Sequence, residues 1–119
     1  MKILVTGGLG YIGSHTVVEL ISNDYEVVII DNLSNSEYFI LDNIEKITGV
    51  RPIFCNKNLT DFDATNNIFK KHKIDGVIHF AAFKSVSDSV NNPMKYYNNN
   101  LNSLINVLQS MKENHVSNF

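Results

Sequence analysis

The sequence predicts an α/β protein, a doubly wound parallel sheet that breaks off at the start of the fifth strand. Three observations predict it. Short, nearly continuous apolar runs alternate along the chain with stretches of helical spacing. That is the pattern of a parallel sheet covered on both faces. A glycine-rich turn, Thr6-Gly7-Gly8-Leu9-Gly10-Tyr11-Ile12-Gly13, follows the first run directly. The second run stops on an acidic residue, Asp31.

The elements follow in order. Ile3 to Thr6 reads as a buried strand and Ser14 to Ser22 as a helix. Glu26 to Ile30 is a second strand, ended by Asp31-Asn32. Tyr38 to Ile47 carries Ile40, Leu41, Ile44 and Ile47 at helical spacing, and Thr48-Gly49 would stop that helix. Pro52 to Cys55 is a third, short strand. Asp61 to His72 is helical, with Asp61 and Asp63 as charges at its start. Gly76 to Phe80 is the fourth strand. Pro93 opens a long helix to Glu113, with Leu101, Leu104, Ile105, Leu108 and Met111 as its predicted apolar stripe. Ser85, Ser87 and Ser89 read as loop and cap residues, and Val116 to Phe119 as the start of another strand. Right-handed crossovers then wind the sheet in both directions.

The glycine turn carries the first functional signal. Gly8, Gly10 and Gly13 match G-x-G-x-x-G, and Gly7, Gly10 and Gly13 match a wider G-x-x-G-x-x-G. In either spacing the first glycine permits a tight exit from the strand. The second lets a pyrophosphate approach the backbone, and the third lets the helix pack closely. The phosphates then meet free N–H groups and the positive end of a helix dipole. Asp31 stands eighteen residues beyond Gly13, near the ~20-residue spacing of the ribose-binding acid in dinucleotide sites. A carboxylate there accepts from ribose hydroxyls and repels a 2′-phosphate. No cation follows Asp31 before Lys46, so the cofactor predicted is NAD, not NADP, on a Rossmann-type sheet.

Composition sets the limits. The chain has 119 residues, 44% of them apolar, which suits a single NAD-binding domain over residues 1–119 and leaves no room for a second, substrate-binding one. The net charge is -2 and Arg51 is the sole arginine, so no basic face points to nucleic acid. Cys55 is the only cysteine and permits no internal disulfide. No run approaches the ~20 apolar residues of a membrane span, and the start of the chain lacks the features of a secretory signal. These readings predict a cytoplasmic protein. His15, His72, His79, His115 and Cys55 do not fall at metal-ligand spacing, and no metal is expected. His79, inside an apolar strand, reads as a hydrogen-bonded core residue.

Several segments together resemble the UDP-glucose 4-epimerase family of extended short-chain dehydrogenases/reductases. They are Val5 to Thr16, Ile30-Asp31-Asn32-Leu33, Val77-Ile78-His79-Phe80-Ala81, Lys84, Val86, Ser89-Val90, Pro93 and Tyr96 to Asn100. Lys84 is the most specific of them. The resemblance implies that Gly7, Gly10, Tyr11 and Ile12 lie along the pyrophosphate, and that Asp31, Asn32, Asn35 and Ser36 hold the adenosine ribose and its phosphate. It implies Asn58 and Leu59 at the adenine, and Phe80, Ala81 and Ala82 beneath the cofactor. Lys84 and Asn99 would serve the nicotinamide side. It further implies a UDP-sugar substrate and is compatible with a homodimer. Three positions depart from the family pattern. Asn58 stands where an aspartate usually accepts from the adenine amino group, and its side-chain oxygen is expected to accept in its place. Lys57 and Ser103 replace glycines.

The family's base is a tyrosine followed four residues later by a lysine. The five tyrosines here are followed at that spacing by His15, Ile29, Asp42, Asn100 and Leu101. No catalytic residue is therefore assigned within this chain, which is expected to be inactive alone, with the fourth strand left as an open edge. Two other readings stay open: a non-catalytic NAD-binding module, and another extended short-chain enzyme of sugar nucleotides, such as a dehydratase.

Overall fold

The computed structural model describes residues 1–119. The elements are β1 (Lys2–Thr6), α1 (Tyr11–Ser22), β2 (Glu26–Asp31), α2 (Phe39–Thr48), β3 (Ile53–Asn56), α3 (Phe62–His72), β4 (Gly76–His79), α4 (Val86–Asn91) and α5 (Pro93–Glu113). The sheet is parallel throughout, in the order β3-β2-β1-β4. This is the doubly wound arrangement that the sequence predicts.

Two cores follow from the alternation of side chains along a strand. Leu4, Val28, Ile30 and Val77 point to one face, where Phe69 of α3 and Val107 and Met111 of α5 cover them. Ile3, Val5, Val27 and Ile29 point to the other, against Val17 and Ile21 of α1 and Leu41 and Ile44 of α2. Burial on both faces explains the unbroken apolar runs. The helix ends are local chemistry. Asp61 accepts from Ala64 N at 3.0 Å to cap α3, and Gly49 ends α2 in the left-handed region. No helix is long and apolar enough to cross a membrane.

Three sequence expectations need correction. The helix α4 lies in a stretch read as loop and caps. At six residues it is too short to show an apolar period, although Ser85 does cap it. The predicted stripe of α5 is mostly on the wrong face. Ser103, Val107, Ser110 and Met111 are buried, while Leu101, Ile105 and Leu108 are exposed. The inward face thus mixes two serines with Val107 and Met111, which a count of apolar residues along the helix does not pick out. Finally, the edge of β4 is partly covered. Val77 N donates to Asn118 O at 3.0 Å, Gly76 pairs with Asn118, and the Phe119 ring lies 6.3 Å from that of His79. The strand expected after Val116 begins here.

Candidate functional site

Because every strand runs the same way, all four carboxyl ends meet along one edge of the sheet. The loops leaving them enclose a cleft of about 400 Å³. The edge outside the carboxyl ends, where strand order reverses, is where open α/β sheets bind ligands.

The cleft's centre is the glycine turn. Gly7 sits at φ +65°. Its N–H donates to Ile30 O at 2.8 Å, and its carbonyl accepts from Gly10 N at 3.0 Å. A Cβ at Gly7 would lie 2.9 Å from Ala81 N, so the turn and the exit of β4 touch backbone to backbone. A Cβ at Gly13 would overlap the Gly7 carbonyl oxygen and come within 2.9 Å of Gly8 Cα. Gly10 is the N-cap of α1 and has no side chain to satisfy the first-turn N–H groups, and no acidic residue occupies that turn. The helix therefore presents donors and the positive end of its dipole with nothing to neutralise them, a place suited to an anion.

Asp31, at the end of β2, braces the turn. Its Oδ2 accepts from Leu9 N at 3.1 Å, and its Oδ1 accepts from Leu33 N at 2.9 Å and Ser36 Oγ at 2.8 Å. Leu33 is held at φ 60°, a strained conformation for a leucine. A carboxylate offers about four acceptor directions, so one on Oδ2 is left for a hydroxyl in the cleft. Arg51 is spent elsewhere, on Asp42 and Glu45 of α2. Lys57, far from Asp31 in sequence, does reach the same cleft from the end of β3.

The opposite wall follows β4. Thr6 is fully buried, and its hydroxyl oxygen accepts from Phe80 N at 3.1 Å and Ala81 N at 3.2 Å. With its acceptor directions used, the hydroxyl proton goes to His79 Nδ1 at 2.8 Å. His79 is then neutral, with its proton on Nε2. Burial pushes its pKa below the ordinary value, in the same sense. Farther on, Asn100 of α5 grips Phe83 twice: Phe83 N donates to Oδ1 at 2.8 Å, and Nδ2 donates to Phe83 O at 3.1 Å. Asn99 Nδ2 donates to the same Oδ1 at 3.0 Å. These bonds fix the segment from Phe80 to Phe83.

Gly7, Gly10, Tyr11, Asp31, Asn32, Asn35, Ser36, Asn58, Leu59, Phe80, Ala81, Ala82, Lys84 and Asn99 all border the cleft. Ile12 does not. It is exposed on the first turn of α1, which rotates it away from its neighbour Tyr11. Lys57 and Ser103, noticed in the sequence only as departures, also line the cleft, as do Ser34, Phe83 and Ser85. Thr6 and Asn100 were missed as organisers. The one available signal was a polar residue closing an apolar strand at Thr6. For Asn100, inside an asparagine run, there was none. The side-chain oxygen of Asn58, expected as an acceptor, already accepts from Thr60 N at 3.1 Å and Thr60 Oγ1 at 2.9 Å.

Residues 4–119 match the family model described as GDP-mannose 4,6 dehydratase. The chain belongs to this family. Among curated members it is 50% identical over 116 residues to the bifunctional protein GAL10 of Pachysolen tannophilus, covering 98% of this chain and 17% of that protein. It is 47% identical over 113 residues to the UDP-glucose 4-epimerase of Bacillus subtilis, covering 95% of this chain and 33% of that one. The crystal structure of the Stenotrophomonas maltophila UDP-glucose 4-epimerase, with bound NAD and formylated UDP-arabinopyranose, superposes with a TM-score of 0.95 at 41% identity, covering 98% of this chain and 35% of that one. The Bifidobacterium longum enzyme, in complex with NAD+ and UDP, gives 0.95 at 40% identity with the same coverage. The chain thus spans about a third of the length of the epimerases that it matches. Within the family, the resemblance to the UDP-glucose 4-epimerases runs along nearly the whole of this chain.

Proposed function

We propose that this chain is the NAD-binding portion of a UDP-glucose 4-epimerase. The observation that carries the reading is the cleft itself: an uncapped helix N-terminus reached through glycines, beside a buried carboxylate with one acceptor direction free. These are the features that hold a pyrophosphate and an adenosine ribose. NAD, when bound, supplies a reversible hydride acceptor. In this reading Gly10 and Tyr11 carry the pyrophosphate, Asp31 takes one ribose hydroxyl, and Asn32, Asn35 and Ser36 complete that end. Phe80, Ala81 and Ala82 form the floor, with Lys84 and Asn99 on the nicotinamide side. A UDP-sugar would be the substrate of the whole enzyme, oxidised and reduced again at sugar C4. The identity to UDP-glucose 4-epimerases favours this over a dehydratase.

None of the tyrosines here is followed four residues later by a lysine, so this chain alone holds cofactor without catalysing epimerisation. Titration of the chain with NAD should show binding, and Asp31→Ala should weaken it about tenfold or more, as expected for the loss of a charged acceptor. The same protein should not turn over UDP-galactose. Absence of NAD binding, or measurable epimerisation, would overturn the reading.

We also read Tyr97, Leu101, Ile105 and Leu108, exposed along α5, as the face that meets a second copy, since contiguous apolar surface of this kind marks an interface. Sedimentation of the chain should reveal a dimer that Ile105→Glu dissociates. An unchanged sedimentation coefficient in the variant would remove the face from this role.

A further inference from the structure

We propose that Asn58 reads the adenine edge of the dinucleotide as a hydrogen-bond donor, so that the 6-amino group of NAD contributes nothing to binding by this chain. The proposal rests on the NAD reading above.

Strand order fixes where the base goes. With the phosphates at the turn after β1 and the ribose at Asp31 after β2, the next element outward in the sheet is β3. Lys57, Asn58 and Leu59 leave the end of β3 along the wall of the cleft. This loop is held firmly. Leu59 is buried, and its carbonyl accepts from Asn106 Nδ2 of α5 at 2.8 Å and from Thr65 Oγ1 of α3 at 3.5 Å. Asp61 N donates to the Asn58 carbonyl at 3.1 Å.

The side chain of Asn58 is oriented by Thr60. Thr60 N donates to Asn58 Oδ1 at 3.1 Å, and Thr60 Oγ1 donates to the same oxygen at 2.9 Å. A backbone N–H can only donate, so the atom that faces it is the amide oxygen and not the nitrogen. An amide oxygen has two lone pairs, and Thr60 uses both. The Asn58 nitrogen has no partner in the protein, and the residue is exposed on the cleft. What Asn58 offers a ligand is therefore N–H. The 6-amino group of adenine is also a donor, and two facing donors form no bond. A carboxylate at this position would behave differently. One oxygen would keep both Thr60 bonds, and the other would be free to accept from the amino group.

The test is a comparison of two ligands on two proteins by calorimetry. The ligands are NAD and nicotinamide purine dinucleotide, which lacks only the 6-amino group. The proteins are the chain as it stands and Asn58→Asp. The chain should bind the two ligands within about twofold of each other. Asn58→Asp should prefer NAD by about tenfold, the worth of one hydrogen bond to a charged acceptor. Taking the ratio on each protein removes the general effect of the added charge. A tenfold preference for NAD in the unaltered chain overturns the proposal, and so does a variant without preference. If neither ligand binds either protein, the NAD reading itself falls and the proposal falls with it.

Discussion

Along β1 and β2 the cleft is walled by backbone. Gly7 and Gly13 touch neighbouring main chain so closely that neither could carry a methyl group without displacing it. Along β4 and α5 the wall is held by side chains: Thr6 binds the Phe80 and Ala81 amides, and Asn100 binds both polar groups of Phe83. The first wall lies over a strand pair buried at every position after the first residue of each strand, whereas the second adjoins the exposed apolar stripe of α5. The difference shows two ways to fix a loop. Steric closeness allows no substitute for glycine. Side-chain clamps can lose one bond and keep the fold.

Breaking the first wall should cost most. Gly13→Ala places its methyl on the Gly7 carbonyl, and we expect a loss of about 3 kcal/mol or more, at the upper end for overpacking. The midpoint of urea unfolding measures it, and an unchanged midpoint would mean that the turn is softer than its geometry implies. Thr6→Val should cost less, about 2 kcal/mol. It leaves the Ala81 amide and His79 Nδ1 without partners, while Phe80 N keeps a second bond to the Thr6 carbonyl. NAD affinity should fall alongside, since the floor of the cleft loosens.

The smallest effect is one of pH. Burial holds the His79 pKa below 6.5, so as pH falls the unfolded chain takes up this proton before the native one does. The stability tied to neutral His79 is complete above about pH 6.5 and is lost below it, as pH falls through the lower native pKa. Urea midpoints between about pH 7 and 5 should therefore decline, and His79→Gln should flatten the decline. His72 is shifted the same way, first by burial and then by Lys71 and Lys2. A slope that survives His79→Gln belongs to His72.

Much of the backbone-walled side was legible in advance. Strand positions, the glycine turn and the acid after β2 follow from period, from steric demands on single residues and from spacing along a short stretch of chain. The side-chain wall was less so. Nothing local distinguishes Asn100 from the asparagines around it, and the bonds that give it a role join residues seventeen apart. The reach of Lys57 into the cleft escaped an argument that counted cations only along the chain after Asp31.

What the sequence determined by itself was the parallel, doubly wound sheet and the glycine turn at the carboxyl end of its first strand. These depend on the two-residue alternation of strands and on conformations that only glycine takes up freely. Tertiary structure decided which face of α5 turns inward and which atom of Asn58 faces the cleft. A helix with apolar residues on one side and small ones on the other can pack by either. The choice falls to the neighbours, and against α3 and the sheet it is Ser103, Val107, Ser110 and Met111 that are buried. An amide, likewise, has an acceptor at one end and donors at the other. Only the Thr60 bonds in the folded loop determine which end is left for a ligand.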